Sequence, residues 1–187
     1  MSYPFDRNSG GVYIIAATPF DDAGALDLES TDRLVDYYIE CGVSGMTILG
    51  IMGEAAKLSS QESAVFAHRV LERVNGRVPV IVGVTGGGLD NMAELSRSVM
   101  KDGAAGLMVA PMPSLQTDAQ QRSYFAQVCK ALGPDVPICL QAYPMTTTVN
   151  FSVETLLAIF RDHPQIVMLK HEDWPGLTKL SRGRAET

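Results

Sequence analysis

An α/β fold with a parallel sheet is predicted by three observations. Six apolar, β-branched runs of strand length recur, at residues 11–20, 45–50, 78–85, 106–111, 136–143 and 165–170. They do not alternate apolar with polar, which suits parallel strands covered on both faces. Segments of helical period separate them, so strand starts fall about 30 residues apart, enough chain for a strand, a crossover helix and the next parallel strand.

The elements follow in order. The first run ends in Ala17, Thr18, Pro19 and Phe20, and residues 28–41 then carry Leu34, Val35 and Tyr38 at helical spacing. The second run leads into Gly50, Ile51, Met52, Gly53 and Glu54. The helix predicted at 60–74 opens with a capping-box pattern, Ser59 or Ser60 as N-cap and Glu62 close behind. The third run ends in a glycine-rich turn at 83–88, followed by a helix at 90–101 with Met92, Leu95 and Val99 on one side. After the fourth run, a helix at 117–132 begins with Thr117 and Asp118. The fifth run ends in Gln141, Ala142, Tyr143 and Pro144, ahead of a helix at 152–161. The sixth ends at Lys170, and a last helical segment spans 175–180. Gly42, Gly103 and Gly133 fall where helix C-caps are expected.

Composition narrows the function classes. Of 187 residues, 46% are hydrophobic and 19% charged, which is globular, and no linker or low-complexity stretch divides residues 1–187 into more than one domain. The net charge of −6 argues against a nucleic-acid partner, whose footprint is a basic face. No run approaches the roughly 18 apolar residues of a membrane span. The N-terminus MSYPFDRNSG lacks the basic and apolar regions of a signal peptide. Cys41, Cys129 and Cys139 form no CxxC pair, which fits a reduced interior. A cytoplasmic protein is expected.

Alternating βα units close into a (β/α)8 barrel or spread as an open, doubly wound sheet. The first run is not followed by the GxGxxG of a dinucleotide-binding sheet, and the turn at 83–88 lacks the Lys-Ser/Thr of a P-loop. Distinctive residues sit instead at the C-terminal ends of many strands, as in barrels.

Lys170 stands out among the lysines because it ends a buried strand. Partial desolvation there disfavours the ammonium form, and a neutral amine can attack a ketone. The competing reading, a lysine paired with Glu172 or Asp173 or reaching the surface, is equally open on position alone. Gln141 and Tyr143 are two apart and share a strand face, so either could present a polar group toward the same mouth. Gly50 and Gly53 flank a turn whose N–H groups could approach an anion such as a carboxylate, although a plain structural turn has the same spacing. Glu54 could cap that loop or accept a hydrogen bond at its base. His68, His163 and His171 show no metal-binding spacing, and no GxSxG elbow is present. His171 would point opposite to Lys170, toward the helices.

Together these residues resemble the dihydrodipicolinate synthase / N-acetylneuraminate lyase family of Schiff-base (class I) aldolases, over nearly the whole chain. The carriers are Thr18-Pro19-Phe20, Gly50-x-x-Gly53-Glu54 with Leu58-Ser59-x-x-Glu62, Gly83-x-Thr85-Gly86, Gly103-Ala104-x-Gly106 leading to Ala110-Pro111, and the strand ending at Lys170. The resemblance implies a TIM-barrel, (β/α)8, fold, a Schiff base between Lys170 and a 2-keto acid such as pyruvate, and a carboxylate-binding loop at residues 50–54. It implies no metal and no organic cofactor. Family members are often tetramers, but the tyrosine that usually reaches across the dimer is absent, so assembly as a homo-oligomer, dimer or tetramer, stays open.

The departures from the family pattern are as informative. Ile51 and Met52 replace the two threonines of the family loop, removing a proton-relaying hydroxyl. Met112-Pro113 stand where a tyrosine pair is common. Gln141 aligns with the catalytic tyrosine, leaving Tyr143 as the candidate proton shuttle. Thr146 aligns with the arginine that binds dicarboxylic substrates. These changes point to a divergent lyase, aldolase or dehydratase rather than the synthase itself. Only six βα units are present, whereas a full barrel takes roughly 250 residues. Residues 181–187 lose helical pattern and read as a premature end, so an inactive fragment or binding protein that keeps the scaffold is the alternative. A metal-dependent aldolase is disfavoured by the histidine spacing.

Overall fold

The computed structural model describes residues 5–186. Residues 1–4, which open the leader reading, and Thr187, which closes the tail reading, lie outside them. Packing divides the chain into two compact units, Met1–Met108 and Val109–Thr187.

β1 (Tyr13–Ile15), β2 (Gly45–Ile48) and β3 (Val80–Gly83) lie in the first unit, which ends within β4 (Gly106–Val109), and the four pair in chain order, all parallel. Every residue of β2, β3 and β4 is buried, which explains why their sequences are apolar without alternation. α1 (Leu28–Glu40), α2 (Ser60–Val74) and α3 (Leu89–Lys101) connect them. α1 starts where the Asp27 carboxylate accepts the Ser30 N–H at 2.8 Å. α2 starts at the predicted capping box: the Ser59 hydroxyl accepts the Glu62 N–H, and the Glu62 carboxylate accepts the Ser59 N–H. α1 and α2 are also tied by ion pairs, Arg69 to Asp32 at 2.5 Å and Arg73 to Asp36, and Arg77, just past α2, pairs with Asp36 as well.

The second unit holds β5 (Ile138–Ala142) and β6 (Ile166–His171), which are parallel with Gln141 opposite Lys170. α4 (Asp118–Leu132), a short α5 (Pro144–Thr147), α6 (Val153–Asp162) and α7 (Leu177–Ala185) complete it. Thr117 and Gln120 form a second capping box at α4, and the Ser152 hydroxyl accepts the Thr155 N–H at α6. The core is Phe125, Val128, Ile138, Leu140, Ile159 and Ile166, with Phe125 flanked by Tyr124 and Phe151 at ring distances of 5.2 and 6.0 Å. Burial of such side chains contributes about 1.5–3 kcal/mol each.

The sequence reading needs four corrections. The first run, 11–20, supplies only three strand residues, because the chain leaves the sheet and Phe20 bridges back to Leu26. The last helix is not confined to 175–180: it continues to Ala185, held by Arg182 pairing with Glu154 of α6 and with Glu186 at 3.1 Å. A 3-10 turn at Ala55–Lys57 and α5 were not anticipated. Gly42, Gly103 and Gly133 do follow their helices with φ of +78°, +99° and +94°, as C-capping requires.

Candidate functional site

Lys170 and Gln141 are register partners at the C-terminal ends of β6 and β5, so both side chains leave the same face. Glu172 follows β6 and is anchored there by its N–H donating to the Ala142 carbonyl at 2.8 Å. Its Oε2 takes two partners at once, Lys170 Nζ at 2.7 Å and the amide Nε2–H of Gln141 at 2.7 Å. Gln141 is buried, while the Lys170 and Glu172 side chains keep 22% and 32% of their surface. The arrangement is a lysine reachable from solvent beside a carboxylate held by a buried amide. Of the two readings of Lys170, pairing with Glu172 is observed. It is compatible with the nucleophile reading, because the pair lies at a strand's C-terminal end rather than on an outer helix.

Asp173, the other carboxylate considered, pairs with Lys179 of α7 and accepts the Trp174 N–H at 2.8 Å. Partial burial raises its pKa, but the Lys179 hydrogen bond and charge outweigh this and hold it below the usual value. Cys139 lies two residues before Gln141 on β5, and burial pushes its thiol up to about 11, against the opposing pull of Lys170. Tyr143 lies past the end of β5 as the N-cap of α5, half-buried, its carbonyl accepting the Thr147 hydroxyl at 3.0 Å. Thus Gln141, rather than Tyr143, is the residue bonded into the Lys170 cluster. Both ring nitrogens of His171 are buried without a hydrogen-bond partner, and the ring packs under Gly176, where a Cβ would come within 2.8 Å of Nε2.

In the first unit the turn after β2 is shaped by close backbone approach. Leu49 takes a left-handed φ of +52°, and Gly83 lies so near its carbonyl that a Cβ would overlap the oxygen. Gly50 and Gly53 are buried, and a Cβ on Gly53 would sit 3.0 Å from the Ala16 carbonyl. The buried Thr18 hydroxyl donates to the Gly53 carbonyl at 2.6 Å, tying the end of the first run to this turn. Ile51 and Met52 are exposed at its tip. Glu54, with φ of +56°, pairs with Lys57. The Gly86–Gly87 turn lines a cleft with Ser60, Thr85, Asn91 and Glu94, and among the described residues no basic side chain lines it, which is unlike a phosphate cradle.

Glu172 is the participant that residue typing undervalued. The signal was present: an acid two residues after a strand-ending lysine returns to the same side of an extended chain. Among the described residues no group of three or more His, Cys, Asp or Glu could hold a metal ion, and no helix is long and apolar enough to cross a membrane.

Comparison with known proteins places this geometry. The dihydrodipicolinate synthetase family model matches residues 8–173. A 4-hydroxy-tetrahydrodipicolinate synthase of Pelobacter propionicus is 37% identical over 161 residues, 86% of this chain and 54% of that protein. The crystal structure of a dihydrodipicolinate synthase from Rhodopseudomonas palustris superposes with a TM-score of 0.95 at 46% identity, over 98% of this chain and 61% of that one. YagE of E. coli K12, a family protein crystallised in complex with pyruvate, superposes with a TM-score of 0.79 at 28% identity, over 85% of this chain and 53% of that one. The chain spans about half the length of the curated relatives it matches. The predicted fold class, α/β of the TIM-barrel family with six βα units, agrees with these neighbours. The chain belongs to the dihydrodipicolinate synthetase family.

Proposed function

We propose that this chain carries the amine nucleophile of a Schiff-base lyase, and that Lys170 is that nucleophile, acting on a 2-keto acid of the pyruvate type. The observation that carries the reading is Lys170 Nζ at the C-terminal end of β6, partly exposed and ion-paired within 2.7 Å. The family match and the pyruvate complex of YagE support the substrate class.

Neutral Lys170 attacks the keto carbon, and loss of water leaves an iminium. The iminium withdraws electrons from C3, so a carbanion there is stabilised as an enamine. That species serves aldol cleavage, its reverse, or loss of a hydroxyl from C4. Tyr143 or a water moves protons at C3 or C4. In the first unit, the Gly50–Gly53 turn is the proposed carboxylate cradle, with its backbone rather than threonine hydroxyls as donors and Thr18 as its tether. Gly53→Ala, which presses on the Ala16 carbonyl, should weaken pyruvate binding in calorimetry.

The test is reduction with borohydride in the presence of pyruvate, read by intact mass. The unmodified protein should gain one reduced pyruvate and Lys170→Ala none. An adduct persisting in Lys170→Ala removes the assignment.

A further inference from the structure

Within the Schiff-base reading proposed above, we infer that Glu172 is a catalytic acid–base group that takes the proton from Lys170 before attack and returns it to the departing oxygen, and that Gln141 is the residue positioning it.

The geometry separates this from an ordinary surface ion pair. A single carboxylate oxygen, Oε2, lies 2.7 Å from Lys170 Nζ and 2.7 Å from Gln141 Nε2. The buried amide fixes the orientation of that oxygen, since Gln141 has little freedom. The backbone N–H of Glu172 is bonded to Ala142, so the residue is held at both ends.

The steps balance. The ammonium of Lys170 gives one proton to Glu172, and the resulting amine bonds to the keto carbon while the carbonyl π pair moves to oxygen. A second nitrogen proton passes to that oxygen, giving a neutral carbinolamine. Glu172 returns its proton to the hydroxyl, the C–O bond breaks with departure of water, and the nitrogen lone pair forms the C=N bond of the iminium. Glu172 ends as the carboxylate, and one positive charge remains on nitrogen as at the start.

Other titratable groups border the cluster, and the first of them supplies the control variant. They are Cys139 on β5, on which both Lys170 and Glu172 act, His171 on β6, and the Asp173–Lys179 pair that joins the segment after β6 to α7.

The experiment is the rate of pyruvate adduct formation, trapped with cyanoborohydride, from pH 6 to pH 10. It compares the unmodified chain with Glu172→Gln, Glu172→Asp, Gln141→Leu and Cys139→Ala. Glu172→Gln should form the adduct on Lys170 about a hundredfold more slowly at neutral pH, the contribution typical of general acid–base catalysis, and should recover toward pH 10, where solvent base suffices. Glu172→Asp and Gln141→Leu should fall between, and Cys139→Ala should follow the unmodified profile. A Glu172→Gln profile superimposable on the unmodified one overturns this inference alone. If Glu172→Gln does not fold, an unmodified profile in both Glu172→Asp and Gln141→Leu overturns it equally. Absence of any adduct in the unmodified chain overturns it together with the Schiff-base reading, so the two failures are distinguishable.

Discussion

Thr18→Val tests how the turn after β2 is held. The Thr18 hydroxyl donates to the Gly53 carbonyl at 2.6 Å, and Thr18 is only 6% exposed. Valine matches threonine in shape, so the substitution leaves no cavity but removes the donor. Water does not reach the site readily, and leaving a buried acceptor unpaired costs about 1–3 kcal/mol. Thr18→Ser keeps the donor and removes one methyl group, a loss of about 0.8 kcal/mol. With a urea slope of about 2 kcal/mol/M, a loss of about 2 kcal/mol lowers the unfolding midpoint by about 1 M. The assay is urea unfolding followed by circular dichroism for all three proteins. The order expected is unmodified, Thr18→Ser, Thr18→Val. A Thr18→Val midpoint equal to or above that of Thr18→Ser refutes the view that this hydrogen bond, rather than packing, secures the turn.

Three further outcomes are expected. Gly83→Ala drives a methyl group into the Leu49 carbonyl and should lose about 1–3 kcal/mol in the same unfolding assay, because the obstructing atom is backbone and cannot rotate away. Thiol labelling at pH 8 should modify exposed Cys41 alone, while Cys129 and Cys139, both pushed up to about 11 by burial, should react only after denaturation. Hydrogen bonds from Arg73 and then Arg77 hold the Asp36 carboxyl below its ordinary value of 3.8. A carboxylate lowered in the folded state adds stability above its unfolded pKa and loses it as pH falls through the folded value. The unfolding midpoints of the unmodified chain and Asp36→Asn should therefore differ by a constant amount near neutral pH and converge below about pH 4.

The fold was legible where local rules and burial agree. β2, β3 and β4 are buried on both faces, so their continuous apolar runs announced parallel strands, and the box at Ser59 and Glu62 marked the start of α2. The continuation of α7 was not legible, because Ser181, Arg182, Gly183 and Arg184 have no apolar period. Their helix is held by the charge of Glu154, far away in sequence. At the candidate site, a lysine ending a strand was visible as a type and a place. Gln141 read as a lost tyrosine, and Glu172 as a reason to discount the lysine. Their meeting at one carboxylate oxygen depends on the β5–β6 register, which places Gln141 beside Lys170, and no single-strand pattern encodes that pairing.

The central claim is that Lys170 is the amine that captures a 2-keto acid. Its most direct test is peptide mapping of the unmodified chain after borohydride reduction with pyruvate, with all five lysines, Lys57, Lys101, Lys130, Lys170 and Lys179, in competition. A reduced pyruvate adduct on Lys170 and on no other lysine is the predicted result. An adduct spread over the exposed lysines, or a map with Lys170 unmodified, contradicts it.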